Sequence, residues 1–85
     1  MVTLNYTIND DLGIHARPAG IIVRQAKNSK SQVFLRKGDK QVNASNILGI
    51  MGLGVKKGET VQICAEGPDE TEAAQNMLNL FKENL

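Results

Sequence analysis

Gly13-Ile14-His15-Ala16-Arg17-Pro18-Ala19 is the stretch in which the chain passes from strand to helix, and the elements on either side are placed from it. Asp10, Asp11 and Gly13 before it are turn formers. Pro18 suits the first turn of a helix, where no intrahelical N–H is required. Arg17 precedes a proline and is biased away from the α region. A helix therefore starts near Ala16–Pro18, with His15 at or beside its N-cap. Free N–H groups and the positive end of the helix dipole favour a negative group such as phosphate at that place. Arg17 adds a guanidinium fork suited to a phosphoryl group. A neutral imidazole nitrogen is a nucleophile, and His15 is the only histidine in the chain. A nucleophile beside an anion cradle points to a histidine that carries a phosphoryl group. A lone histidine at a helix start is also a common surface or capping residue, and helix-end physics alone leaves both readings open.

Upstream, Val2, Leu4, Tyr6 and Ile8 alternate with Thr3, Asn5, Thr7 and Asn9, the period of a strand with one buried face. Downstream, Ala16, Ala19, Val23 and Ala26 fall at helical spacing as far as about Lys27, with Ile22 beside them. Arg17, Arg24 and Lys27 lie mostly off that stripe. Gly20 costs a helix up to about 1 kcal/mol relative to Ala; it either clears space for a partner near His15 or reflects neutral drift. Ser31–Arg36 reads as a second strand, with Val33 and Leu35 on one face and Phe34 on the other. Lys37-Gly38-Asp39-Lys40 reads as a hairpin turn and Gln41–Ala44 as its short return strand.

Ser45-Asn46-Ile47-Leu48-Gly49-Ile50-Met51-Gly52-Leu53-Gly54 reads as a short helix, capped by Ser or Asn and ended by glycine within two turns. Its apolar density exceeds what one helical face can bury. Ile47, Leu48 and Met51 are thus expected either in the core or as an exposed patch of the kind that marks partner surfaces. The glycine order G-x-x-G-x-G is not a nucleotide fingerprint. Thr60–Glu66 reads as a fourth strand with Val61, Ile63 and Ala65 facing in, which puts Cys64 outward as a solvent-side or half-covered, inert thiol. Asp69 and Glu72 read as an N-cap and N3 pair opening a last helix, whose stripe is Ala73, Ala74, Met77, Leu78 and Phe81. The order β-α-β-β-α-β-α predicts an α+β, two-layer open-faced sandwich, one sheet with helices on one face.

Eighty-five residues are expected to form one domain, 1–85. Ten basic against nine acidic residues argue against a nucleic-acid binder that relies on overall basicity. A single cysteine excludes an internal disulfide and fits a reducing compartment. There is no signal-peptide pattern and no apolar run near the roughly 20 residues of a bilayer span. No metal-ligand cluster or cofactor motif stands out.

The Gly-Ile-His-Ala-Arg-Pro-Ala motif, with the chain length and element order, resembles HPr, the histidine-containing phosphocarrier family of the bacterial phosphoenolpyruvate-dependent sugar phosphotransferase system. The resemblance implies four antiparallel strands under three helices. It implies a cytoplasmic relay component rather than a stand-alone enzyme, without cofactor or metal and without membrane insertion. His15 would accept a phosphoryl group on Nδ1 from phospho-Enzyme I and donate it to sugar-specific enzyme IIA components, with Arg17 holding the phosphate. Transcriptional regulators are further conceivable recipients. Gly20, Arg24, Lys27, Ile47, Leu48 and Met51 would form the docking face of a monomer, an apolar centre with a basic rim. In Gram-positive members a serine directly before the Ile-Met-Gly or Ile-Leu-Gly segment is a kinase target. Asn46 stands there in this chain, with Ser45 one residue earlier as a weak candidate. Two other readings compete: a regulatory binding module of the same fold, and a structural domain with an idle histidine.

Overall fold

The structure, a computed structural model, describes residues 1–85. The elements run β1 (Val2–Thr7), α1 (Ala16–Asn28), β2 (Gln32–Lys37), β3 (Lys40–Asn43), α2 (Ile47–Gly52), β4 (Thr60–Glu66) and α3 (Glu70–Asn84). The four strands form one antiparallel sheet in the order β1-β4-β2-β3, an open-faced layer under the helices. The β2–β3 hairpin closes on the Lys37–Lys40 pair. Gly38 takes φ 58° while Asp39 keeps a negative φ, the pattern of a type II′ connection with glycine first.

Pairing register makes the two faces of the sheet differ. Leu4, Ile63, Leu35 and Val42 lie in one row, and Val2, Ala65 and Val33 in the next. These rows meet the helices in a core that includes Ile22, Ile50, Met77 and Phe81. Tyr6, half-buried on the same face, meets Phe81 edge to face at 5.8 Å. The opposite face carries Thr3, Cys64, Phe34 and Asn43 in one row, and Asn5, Gln62, Arg36 and Gln41 in another.

Three expectations need correction. Cys64 does lie on the face away from the core, but it is 3% exposed rather than solvent-side or half-covered. It sits on the inner strand β4, between Thr3 of β1 and half-buried Phe34 of β2, and these two side chains cover it. On α1 the buried stripe is Pro18, Ala19, Ile22 and Ala26, whereas Ala16 is exposed and Val23 only half-buried. Asp69 is the N-cap residue of α3 but makes no side-chain cap bond. Its carboxylate instead accepts hydrogen bonds from the Ser31 hydroxyl, the Lys30 N–H (3.1 Å) and the Ser29 hydroxyl (3.4 Å). The residue read as a local cap is a long-range tie from the start of α3 to the segment between α1 and β2.

Candidate functional site

His15 is the N-cap residue of α1, in an extended conformation (φ −107°, ψ −176°), and its imidazole makes no capping bond. The His15 carbonyl already accepts the Ala19 N–H at 3.0 Å. The Ala16 and Arg17 N–H groups have no acceptor within the chain, and Pro18 has none to donate. No acidic side chain lies in the first turn to use them. The helix start is therefore open to an external anion, with the imidazole at its edge. Arg17 is exposed and makes no ion pair or hydrogen bond within the chain, so its guanidinium is available.

The loop that delivers His15 is held at several points. Ile14 N–H donates to the Val55 carbonyl (3.1 Å) and Gly13 N–H to the Asp10 carbonyl (3.0 Å). Leu12 N–H donates to Asp10 Oδ1 at 2.8 Å. The N–H groups of Asn9 and Asp10 both donate to the backbone oxygen of Leu85, at 2.7 and 2.8 Å. Leu85, the C-cap residue of α3, thus ties down the start of the loop, and Val55 its end. Lys57 reaches Asp11 at 2.8 Å, but both side chains are exposed and such a pair adds little.

His15, Arg17, Pro18 and Ile21 of the α1 end, with Asp10, Glu83 and Asn84, line an open depression of about 310 Å³. Asp10 Oδ1 stands 3.8 Å from His15 Nε2, too far for a hydrogen bond but close enough for a charge to be felt. From sequence, His15 and Arg17 stand out as site candidates, and Asp10 only as a turn former. Its five-residue spacing from His15 across a turn was the available signal. Glu83 and Asn84 gave none, because only the tertiary fold brings the end of α3 here.

The remaining candidates lie on neighbouring helices, since α1 and α2 pack together. Gly20, Arg24 and Lys27 follow i, i+4, i+7 on α1; Gly20 is half-buried and the two cations are exposed. On α2, Ile47, Leu48 and Met51 are 42%, 80% and 40% exposed, while Ile50 is fully buried. Of the two readings of that apolar run, the exposed patch is the one observed for these three side chains. Leu12, in the loop before His15, is also 72% exposed and was not singled out from sequence. Asn46 caps α2, its Oδ1 accepting the Gly49 N–H at 3.1 Å. The Ser45 hydroxyl donates to Asn43 Oδ1 at 2.6 Å. Nowhere do three His, Cys, Asp or Glu side chains converge as a metal site would need, and no helix is long and apolar enough to cross a membrane.

The family described as "PTS HPr component phosphorylation site" matches residues 2–83. The chain belongs to the HPr family. Among solved structures, it is similar to HPr-C-His of Thermoanaerobacter tengcongensis, with 41% identity and a TM-score of 0.92 over 98% of this chain and 93% of that one. It is similar to the phosphocarrier protein HPr of Bacillus anthracis at 33% identity and a TM-score of 0.86, covering 93% and 94% of the two chains. It is also similar to the catabolite repression protein Crh of Bacillus subtilis, described as a domain-swapped dimer, at 38% identity and a TM-score of 0.79, covering 100% and 98%. HPr family and fold together indicate a phosphocarrier of the phosphotransferase system, a relay protein.

Proposed function

We propose that this HPr-family chain carries a phosphoryl group on His15, taking it from phospho-Enzyme I and passing it to sugar-specific enzyme IIA components in the cytoplasm. The observation that carries this reading is the uncapped start of α1. His15 and Arg17, its guanidinium unpaired, line one open depression at a helix start where the Ala16 and Arg17 N–H groups have no partner. In the forward step, His15 Nδ1 attacks the phosphorus of the donor's phosphohistidine. A new N–P bond forms as the donor's N–P bond breaks, and the donor imidazole leaves. The second transfer is the same displacement with His15 as leaving group. Arg17 and the Ala16 and Arg17 N–H groups take up charge on the phosphoryl oxygens. A helix end contributes only about 0.3–1 kcal/mol, which suits a carrier that must release its cargo. In-line alignment inside a transient complex supplies the rest.

Gly20, Arg24 and Lys27 of α1 with Ile47, Leu48 and Met51 of α2 form the docking face in this reading, an apolar centre rimmed by cations for acidic partners, transcriptional regulators among them. A chain that shows this one face to successive partners works as a monomer. Serine-linked control is absent or much weakened: Asn46 has no hydroxyl and is engaged as the α2 cap, and the Ser45 hydroxyl is spent on Asn43.

The test is intact-mass spectrometry after incubation with phosphoenolpyruvate, magnesium and a bacterial Enzyme I. One acid-labile phosphoryl group is expected on the native chain and none on His15→Ala. No gain with several Enzyme I sources would sink the phosphocarrier reading.

A further inference from the structure

The imidazole has two nitrogens, and a phosphoryl carrier must keep one lone pair free for phosphorus while the other nitrogen holds the proton. Asp10 is the acidic group nearest the ring: its Oδ1 lies 3.8 Å from Nε2, and both side chains are about one-third exposed (35% and 29%). The carboxylate is itself fixed in place. Asp10 Oδ1 accepts the Leu12 N–H, the Asp10 carbonyl accepts the Gly13 N–H, and the Asp10 N–H donates to Leu85. Arg17 and Glu83 are the other charged side chains bordering the depression, and neither pairs with the ring.

We propose that Asp10 is a positioning residue that acts through His15, holding the ring proton on Nε2 so that the Nδ1 lone pair faces the phosphoryl donor. The inference rests on the phosphocarrier reading. Its chemistry balances without a proton leaving the ring. A neutral imidazole bearing Nε2–H attacks through Nδ1, and the N–P bond forms as the donor's N–P bond breaks. The phosphorylated ring then holds Nε2–H and a positive charge that faces the Asp10 carboxylate. On transfer to the acceptor the N–P electron pair returns to Nδ1, and neutral imidazole departs with its Nε2 proton still in place. Without that proton the leaving group would be an imidazolate, a far poorer one. A carboxylate at this distance favours the Nε2–H ring before phosphorylation and the cationic ring after it.

Asp10→Asn is the discriminating variant. It keeps an Oδ1 acceptor for the Leu12 N–H and therefore the turn, while the charge is lost. Asp11→Asn is the control, since it removes the same charge from the same loop where Asp11 faces Lys57. Two-bond ¹H–¹⁵N correlation spectra of the unphosphorylated imidazole read the tautomer directly. The Nε2–H form is expected to dominate in the native chain and in Asp11→Asn, and to give way to a mixture in Asp10→Asn. Phosphoryl transfer onto and off His15 is expected to slow about fivefold in Asp10→Asn alone, the size of one unit-charge contact near 4 Å in high dielectric. An unchanged tautomer ratio overturns the proposal, as does a rate loss matched by Asp11→Asn, or a changed ratio with unaltered transfer. If the native chain accepts no phosphoryl group at all, the phosphocarrier reading falls on its own, and the spectra still decide whether Asp10 holds the proton.

Discussion

Gly13 stands at φ 66°, and a Cβ there would collide with the Val55 carbonyl oxygen and lie 2.9 Å from Lys56 Cα. Both obstacles are backbone, so neither can swing aside. Gly13→Ala combines left-handed strain of about 1–2 kcal/mol with overpacking of about 1–3 kcal/mol. We expect a loss of about 2–5 kcal/mol in urea denaturation, and a displaced His15 through the broken Ile14–Val55 hydrogen bond. Cys64 shows the opposite kind of residue, one whose direction was legible and whose burial was not. Alternation places it on the outer face, but which side chains flank it depends on the pairing of β4 with both β1 and β2. Its thiol is expected to resist an Ellman-type reagent in the folded chain and to react fully in urea. Rapid labelling under native conditions would contradict the Thr3–Phe34 cover. The place of His15 and Arg17 at a helix start was legible because the signals that open a helix are local. Asp10 was legible as a turn residue and illegible as a neighbour of the ring, because that proximity depends on the closed loop.

Helices and strands were readable to within about a residue at most ends because alternation and helical spacing are properties of short windows. What windows miss is a side chain spent elsewhere. Asp69 has the position and chemistry of a cap, yet its carboxyl is drawn to Ser31, a partner that only the fold supplies. That hydroxyl, followed by the Lys30 N–H, holds the Asp69 carboxyl below its ordinary range. A folded value below the unfolded one, near 3.9, gives a contribution fully present above about pH 4 and lost as pH falls through the folded value. Asp69→Asn is therefore expected to melt below the native chain at pH 7, with the gap narrowing steadily under about pH 4. A constant gap would contradict the tie. Gly20 tests α1 in the other direction. No atom lies within 4 Å of where its Cβ would be, and its φ is ordinary for a helix. Gly20→Ala should stabilise the chain by about 0.5–1 kcal/mol. If the bare backbone serves docking, the same variant slows phosphoryl transfer with partners, whereas neutral drift leaves transfer unchanged.

At the scale of the whole molecule, layers follow from amphipathic patterns, but the strand order β1-β4-β2-β3 does not. Only the Lys37–Lys40 hairpin fixes a pairing from sequence. The neighbours of β4 come from far along the chain, and the resemblance to HPr implied four antiparallel strands under three helices, which the structure shows. The fold then divides one short apolar run between two jobs. Ile50 is fully buried and ties α2 to the core, while Leu48, two residues earlier, is 80% exposed. Burying an isoleucine stabilises the fold; leaving a leucine in water does nothing for it. Two variants separate these roles. Ile50→Ala should cost about 2–5 kcal/mol of stability through lost contacts and a cavity, with transfer kinetics close to native at temperatures where it stays folded. Leu48→Glu should change stability by about 0.5 kcal/mol or less, as surface substitutions do. It places a charge at the centre of the proposed docking face, where acidic partners are proposed to bind, so Enzyme I-dependent phosphorylation should show a raised KM of about tenfold. If Arg24 and Lys27 form the rim proposed for them, association should weaken as ionic strength shortens the Debye length towards about 8 Å. Should Leu48→Glu keep native KM while remaining folded, α2 is not where partners dock, and exposed Leu12 beside His15 becomes the apolar anchor to substitute next.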